Sequence, residues 1–333
     1  MNFDLTVIWA GIIVFAIAMY VVMDGFDLGI GILFTRFRVG TERDTAMNAI
    51  APVWDGNETW LVMGGGGLMA AFPLAYAIIL PALYAPMIAM LLGLVFRGVA
   101  FEFRWRDAGH RARWDAGFCI GSITATFAQG VILGALLQGI KISGRAYGGG
   151  YWDWITPFSA LTGVSLVVGY ALLGACYLIW KTSGALQAEA RRLARPLSLG
   201  LLAAIGAVSI YTPFIDAKYF HTWFTWPGVG ALATMPILVG VIGATLYRFI
   251  GRGSDCLPFL LSLCLFALSM TGLAFSLWPD LIPNRLSIWD AAAPKSSQSF
   301  MLVGASILLP LILAYTAWAY WVFRGKVVQA GHH

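Results

Sequence analysis

Ile50-Ala51-Pro52-Val53-Trp54-Asp55-Gly56-Asn57-Glu58-Thr59-Trp60 runs directly into Leu61-Val62-Met63 and four glycines, Gly64 to Gly67. Two carboxylates, an amide and two tryptophans therefore border a strongly apolar segment. If that segment enters a bilayer, holding an aspartate there costs about 2.5–3.5 kcal/mol at the low end. Acids kept at that cost serve an ion path, a proton relay or a partner. The alternative is an interfacial loop in which Asp55 and Glu58 only stabilise the start of the next helix through its dipole. The rest of the chain decides between the two.

Hydrophobic residues make up 59% of the 333 and charged residues 11%, with a mean hydropathy of +0.79. A soluble domain is about 25% charged, so the composition predicts an all-α polytopic membrane protein, with residues 1–333 as one integral membrane domain. Apolar runs predict about nine transmembrane helices, near 6–34, 54–73, 75–101, 116–140, 156–180, 197–214, 229–250, 257–278 and 299–323. The chain starts without the basic region of a cleaved signal, so the first helix is read as retained. No basic stripe with interleaved aromatics is present, which speaks against nucleic acid as a partner.

Lysine and arginine alternate across these spans. The first, third, fifth and seventh connections and the C-terminus carry Arg36, Arg38 and Arg43, then Arg104, Arg106, Arg111 and Arg113, then Lys181, Arg191, Arg192 and Arg195, then Arg248 and Arg252, and last Arg324 and Lys326. The even connections hold only Lys141, Arg145, Lys218, Arg285 and Lys295. The positive-inside rule then places the N-terminus outside (periplasmic, in a bacterium) and the C-terminus in the cytoplasm. Aromatic clusters such as Tyr151, Trp152 and Trp154 fall in the outer connections, where an interfacial belt accounts for them.

Polar groups at membrane depth are few and grouped. Asp24 and Asp27 are three apart on the first helix and share a face; like charges that close in a low dielectric favour one shared proton. Asp55 and Glu58 repeat the spacing at the mouth of the second helix. Arg97 lies near the inner end of the third span, as a counter-ion for one of these acids or as a side chain snorkelling to the headgroups, with Glu102 and Arg106 following. Carboxylates gathered on the cytoplasmic side of the first three helices suit a proton funnel. No acids continue it outward, so the funnel would end mid-membrane and pass its protons to another chain.

Metal ligation is not indicated. The four cysteines show no CxxC or Cys/His spacing and read as buried free thiols. The histidines are His110, His221, His332 and His333, none inside a span, which excludes an intramembrane haem held by two histidines. Methionines within spans, such as Met19, Met23, Met87 and Met90, read as packing. No P-loop, dinucleotide fingerprint, HExxH or GxSxG occurs. The run Gly64–Gly67 reads as close helix packing, not phosphate binding.

Asp24-Gly25-Phe26-Asp27-Leu28-Gly29, Ile50-Ala51-Pro52-Val53-Trp54-Asp55-Gly56-Asn57 and Phe96-Arg97-Gly98-Val99-Ala100-Phe101-Glu102 closely resemble subunit II of cytochrome bd-type quinol oxidases. Leu286–Ala291 and Pro310–Trp318 also fit, so the resemblance spans essentially the whole chain. The continuation Glu58-Thr59-Trp60 looks most like the cyanide-insensitive branch. The resemblance implies two four-helix bundles plus one peripheral helix, and a heterodimer with a subunit I that carries haem b and haem d. Quinol would be the substrate of the complex, oxidised with reduction of O2 to water in a bacterial respiratory chain. This chain would ligate no cofactor; a structural quinone and small single-helix accessory subunits occur among relatives. By the same resemblance, protons enter from the cytoplasm between the subunits, and the acidic roles carry over to Asp55 and Glu102; the reading of the residues themselves adds Asp24, Asp27 and Glu58 to the path. Trp54, Asn57, Arg97 and Arg106 would position them or set the field; Arg106 stands where a relative has lysine, and arginine does not deprotonate. The alternative is a proton-coupled secondary transporter, which would need ionisable groups in both halves of the chain; here the acids crowd into the first third.

Overall fold

The structure, a computed structural model, describes residues 4–226 and 228–327. Among them the helices run α1 (Leu5–Leu33), α2 (Thr41–Asn48), α3 (Trp54–Ala71), α4 (Pro73–Ala82), α5 (Tyr84–Arg106), α6 (Arg111–Leu137), α7 (Pro157–Lys181), α8 (Gly184–Tyr211), α9 (Ala217–Phe224), α10 (Gly228–Ile250), α11 (Leu257–Leu277), α12 (Ile288–Ala291) and α13 (Lys295–Val322). Eight of these are long and apolar enough to cross a membrane: α1, α5, α6, α7, α8, α10, α11 and α13. The ninth expected span is α3. It forms where the sequence places it, but Asp55, Asn57 and Glu58 in its first turns keep it below the apolar level of the others, so nine is an approximate count.

Two expected boundaries shift, for physical reasons. The span expected at 75–101 is two helices, broken at Leu83 (φ −114°, ψ 22°). A continuous helix would drive the Pro86 ring into the carbonyl of Ala82, whereas in the first turn of a new helix the missing N–H costs nothing. The helix expected at 197–214 begins at Gly184, earlier than its apolar run. Its opening turns are held by polar contacts instead: Arg191 pairs with Asp255 at 2.6 Å and Arg192 with Glu189 at 3.5 Å. Two short antiparallel hairpins, β1–β2 (Ile142–Ser143 with Ala146–Tyr147) and β3–β4 (Asp280–Ile282 with Leu286–Ser287), occupy loops that the apolar pattern left blank.

Helices α1, α3, α5 and α6 form one bundle, and α7, α8, α10 and α11 the other, with α1 and α6 packed on α7 where the two meet. Helix α13 lies outside both, parallel to α1. The Trp9 indole donates to the Gln298 carbonyl at 3.1 Å near its start, and the Tyr320 hydroxyl donates to Asn57 Oδ1 at 3.0 Å near its end. Lipid tails give helices little hydrophobic reason to associate, so small residues at the crossings decide how closely they pack. At the α1–α7 crossing the backbones of Gly29 and Gly174 touch, leaving no room for a Cβ on either. Aromatic rings fill the space beside them, with Phe26 stacked on Tyr177 at 4.1 Å.

The Gly64–Gly67 run packs only in part. Gly64 and Gly67 lie against Ile17 and Ile13 of α1, whereas Gly65 and Gly66 face open space. Cys119 and Cys176 are buried as expected, but Cys256 is half-buried and Cys264 exposed.

Candidate functional site

Helix α1 presents Asp24 and Asp27 to one point, α3 adds Asn57 and Glu58, and α5 supplies Arg97. Both aspartates and Arg97 are buried to within 1% of complete enclosure. Arg97 Nη1 donates to Asp24 Oδ1 at 2.7 Å and to Glu58 Oε1 at 3.1 Å, while Nη2 stands 3.9 Å from Asp27 Oδ2. Asn57 Nδ2 donates to Asp27 Oδ2 at 2.6 Å and to the Met23 carbonyl at 3.3 Å. The guanidinium also lies over the Trp54 ring, 5.9 Å from its centroid. Arg97 is thus a counter-ion and does not snorkel. Gly25 contributes by leaving room for Tyr170, whose ring would be 2.9 Å from a Cβ there.

The geometry has a chemical consequence. One guanidinium faces three carboxylates, and Asp24 Oδ2, Asp27 Oδ1, Arg97 Nε and Arg97 Nη2 make no hydrogen bond to the protein. Buried polar atoms are ordinarily paired. Unpaired ones beside an excess of acid leave hydrogen-bonding capacity that the described residues do not fill.

Sequence reasoning missed the groups that extend this cluster. Tyr20 lies one turn before Asp24 on the same face of α1; Gln129 of α6 donates to its hydroxyl at 2.7 Å, and Tyr170 of α7 donates to Gln129 Oε1 at 3.2 Å. The i−4 spacing from Asp24 and a lone mid-span amide were the available signals. A second ionic cluster also went unseen. Asp115, almost fully buried, accepts from Arg104 Nε at 2.5 Å and Arg43 Nη1 at 2.7 Å, and Arg104 also pairs with Asp44 at 2.7 Å. The sequence reading took these arginines for loop charges.

The remaining expected residues lie apart. Asp55 is exposed in the first turn of α3, and Glu102 and Arg106 are exposed near the end of α5. None of the three joins an ion pair among the described residues. They flank the buried cluster without touching it.

At the same end of the helices the C-terminal segment folds back. Lys181 Nζ donates to the carbonyls of Phe323 (2.5 Å) and Gly325 (3.2 Å), and the Val327 amide donates to the Lys181 carbonyl (2.8 Å). Lys326 reaches Asp255 at 2.6 Å. The hydrogen bond from Lys326, with Arg191 beside it, holds the Asp255 carboxyl below the usual range against the opposing effect of burial.

Haem ligation within this chain does not fit the residues present. His110 bonds Asp107 at 3.0 Å outside the spans, and His221 is exposed on the short α9. The described residues hold no group of three His, Cys, Asp or Glu arranged for a metal. His332 and His333 lie outside the described residues.

Residues 5–323 match the family described as cytochrome bd terminal oxidase subunit II. The chain is 30% identical over 358 residues to cytochrome bd-I ubiquinol oxidase subunit 2 of Escherichia coli (strain K12), covering 93% of this chain and 92% of that one. It is 30% identical over 318 residues to cytochrome bd ubiquinol oxidase subunit 2 of Bacillus subtilis (strain 168), covering 92% and 91%. Among solved structures, the bd oxidase from Geobacillus thermodenitrificans superposes with a TM-score of 0.75 over 97% of this chain and 99% of that one, at 17% identity, a likeness of fold.

Proposed function

Because the chain belongs to the cytochrome bd terminal oxidase subunit II family, we propose that it braces a haem-bearing subunit I and delivers cytoplasmic protons to it through the buried acid cluster. As a member of that family it is an integral membrane subunit of a respiratory quinol oxidase, in a complex with subunit I that uses haem and quinol. The haems (b and d) are assigned to subunit I, where they carry the oxidation of quinol and reduction of O2; the residues of this chain supply protons and support. The transporter alternative finds no support among the relatives.

One observation carries the relay reading: Asp24, Asp27 and Glu58 converge on a single buried Arg97. Such a site holds more acid than its cation neutralises, so it can load and release protons without exposing bare charge to lipid. Arg97 keeps its charge throughout, and Trp54 and Asn57 hold the geometry. Asp55, Glu102 and Arg106 lie on the exposed flank of α3 and α5, and we assign them to the face that subunit I covers, where Asp55 and Glu102 exchange protons and Arg106 positions them.

Two measurements test this. Asp55→Asn in the purified two-subunit complex is expected to lower quinol oxidase turnover about a hundredfold, the lower end of what a lost proton-transfer group costs, with the haem absorption bands unchanged. Near-normal turnover would refute the relay role, and loss of the haem d band would make Asp55 an assembly residue. For orientation, the distribution of Lys and Arg assigns the C-terminus to the cytoplasm. A fluorescent protein fused there should fold and fluoresce, and a dark fusion with active periplasmic phosphatase reporters would reverse the assignment.

A further inference from the structure

A cavity of about 310 Å³ opens at the basic end of the helices, between the 48–53 loop, the ends of α7 and α13, and the returning C-terminal segment. At about 30 Å³ per molecule this holds on the order of ten waters. Its walls include Val53, Tyr177, Lys181 and Tyr320. The strap formed by Lys181 with Phe323 and Gly325, and by Lys326 with Asp255, closes one side. The inner wall leads to the acids. Tyr320 donates to Asn57 Oδ1 at 3.0 Å, and Asn57 Nδ2 donates to Asp27 Oδ2 at 2.6 Å. Two hydrogen bonds thus separate a solvent-sized cavity from a fully buried carboxylate.

Resting on the relay reading above, we propose that this cavity is the mouth through which protons reach Asp27, and that Tyr320 is the positioning residue that governs it. The amide of Asn57 carries no titratable proton, so it does not itself pass one along. It fixes Asp27 in place and is in turn fixed by Tyr320. When the Tyr320 hydroxyl swings off Asn57, the amide is no longer fixed and turns off Asp27 Oδ2 in its turn, and cavity water then meets the carboxylate. A hydronium ion then gives its proton to Asp27, leaving water and a carboxylic acid; no electrons move. The charged and titratable groups facing Asp27 are Asp24 on its own helix, Glu58 from α3, Arg97 from α5, Tyr177 from α7 and Tyr320 from α13. This mouth lies inside subunit II, apart from the exposed flank that carries Asp55 and Glu102.

The test uses the purified two-subunit oxidase in liposomes, with turnover followed against pH and the haem spectrum recorded for each variant. Val322→Trp fills the cavity from a half-exposed position at the end of α13, and Asn48→Trp fills it from an exposed position on the opposite wall. Either should slow turnover about threefold or more at alkaline pH, where protons are scarce, and little at acid pH. Tyr320→Phe keeps the ring and loses the hydroxyl, and should move the pH profile without changing the haem bands. Asp27→Asn is run alongside. If it slows the enzyme while both tryptophan variants and Tyr320→Phe keep the parental profile, the mouth lies elsewhere and only this proposal falls. If Asp27→Asn turns over normally, the relay reading itself fails. A tryptophan variant that does not assemble is replaced by the other, and failure of both leaves Tyr320→Phe to decide.

Discussion

Arg97→Met is expected to abolish most assembly of the complex. Methionine keeps an unbranched apolar stem among α1, α3 and α5 but ends short of the guanidinium, so the charge and its hydrogen-bond donors are removed. Asp24, Asp27 and Glu58 then face one another with no cation, two of them fully enclosed. Removing one partner of a buried ion pair costs about 3–5 kcal/mol, because the abandoned charge has no solvent to return to. That is a large share of the about 5–15 kcal/mol by which a typical native protein is stable. The check is the yield of heterodimer by size exclusion, with its thermal denaturation midpoint. Adding Asp24→Asn to Arg97→Met removes one of the stranded charges, so yield should recover substantially while turnover stays low. That split separates the structural work of the cluster from its work on protons. A single variant that assembles and turns over like the parent would show that these groups are not electrostatically coupled, and the relay reading would lose its basis.

The sequence was informative where hydropathy and short-range spacing carry the physics. Eight membrane-length helices form among the described residues, most of them close to their expected places, because a lipid solvent requires long apolar runs to satisfy their backbones internally. The break at Leu83 escaped notice because prolines such as Pro81 and Pro86 are tolerated within spans where neighbouring groups satisfy the freed carbonyls. The site was legible as a list of residues and not as an arrangement. Asp24 with Asp27 follows from the helical repeat, but Arg97 as their counter-ion, and not a snorkelling side chain, depends on how α5 turns against α1. Tyr320 was out of reach altogether, since it meets Asn57 across 263 positions of chain. Asp55 marks the opposite case. Its motif pointed to the centre of the chemistry, yet its side chain is exposed beside the cluster, because α3 turns Asn57 inward and Asp55 outward within the same turn. The neighbouring cluster of Arg104, Asp115, Arg43 and Asp44 was hidden for a related reason: loop arginines count as cytoplasmic charge in any tally, and only the packing of α2, α5 and α6 around Phe34 encloses Arg104 fully and Arg43 in part.

Gly29→Val should prevent the two bundles from joining at all. A Cβ at Gly29 would fall on the Tyr170 carbonyl oxygen and within 2.8 Å of the Gly174 amide nitrogen, and a Cβ at Gly174 would fall on the backbone of Gly29 and Ile30. The obstacle on each side is main chain, so no rotamer change relieves it, and α1 and α7 must move apart. Ordinary overpacking costs about 1–3 kcal/mol; here the loss is greater, since separation also undoes the Phe26–Tyr177 stack and shifts Asp24 and Asp27 away from Arg97. The expected outcome is little or no heterodimer in the membrane, with haem incorporation falling in step. Gly65→Ala supplies the contrast. Gly65 is also helical and sits in the most conspicuous glycine run of the chain, yet a Cβ there meets open space. Alanine gains about 1 kcal/mol in helix propensity over glycine, so that variant should assemble at least as well as the parent unless subunit I packs against this face. Equal tolerance of both substitutions would mean that α1 and α7 do not cross at Gly29, and the arrangement that brings the acids together would have to be redrawn.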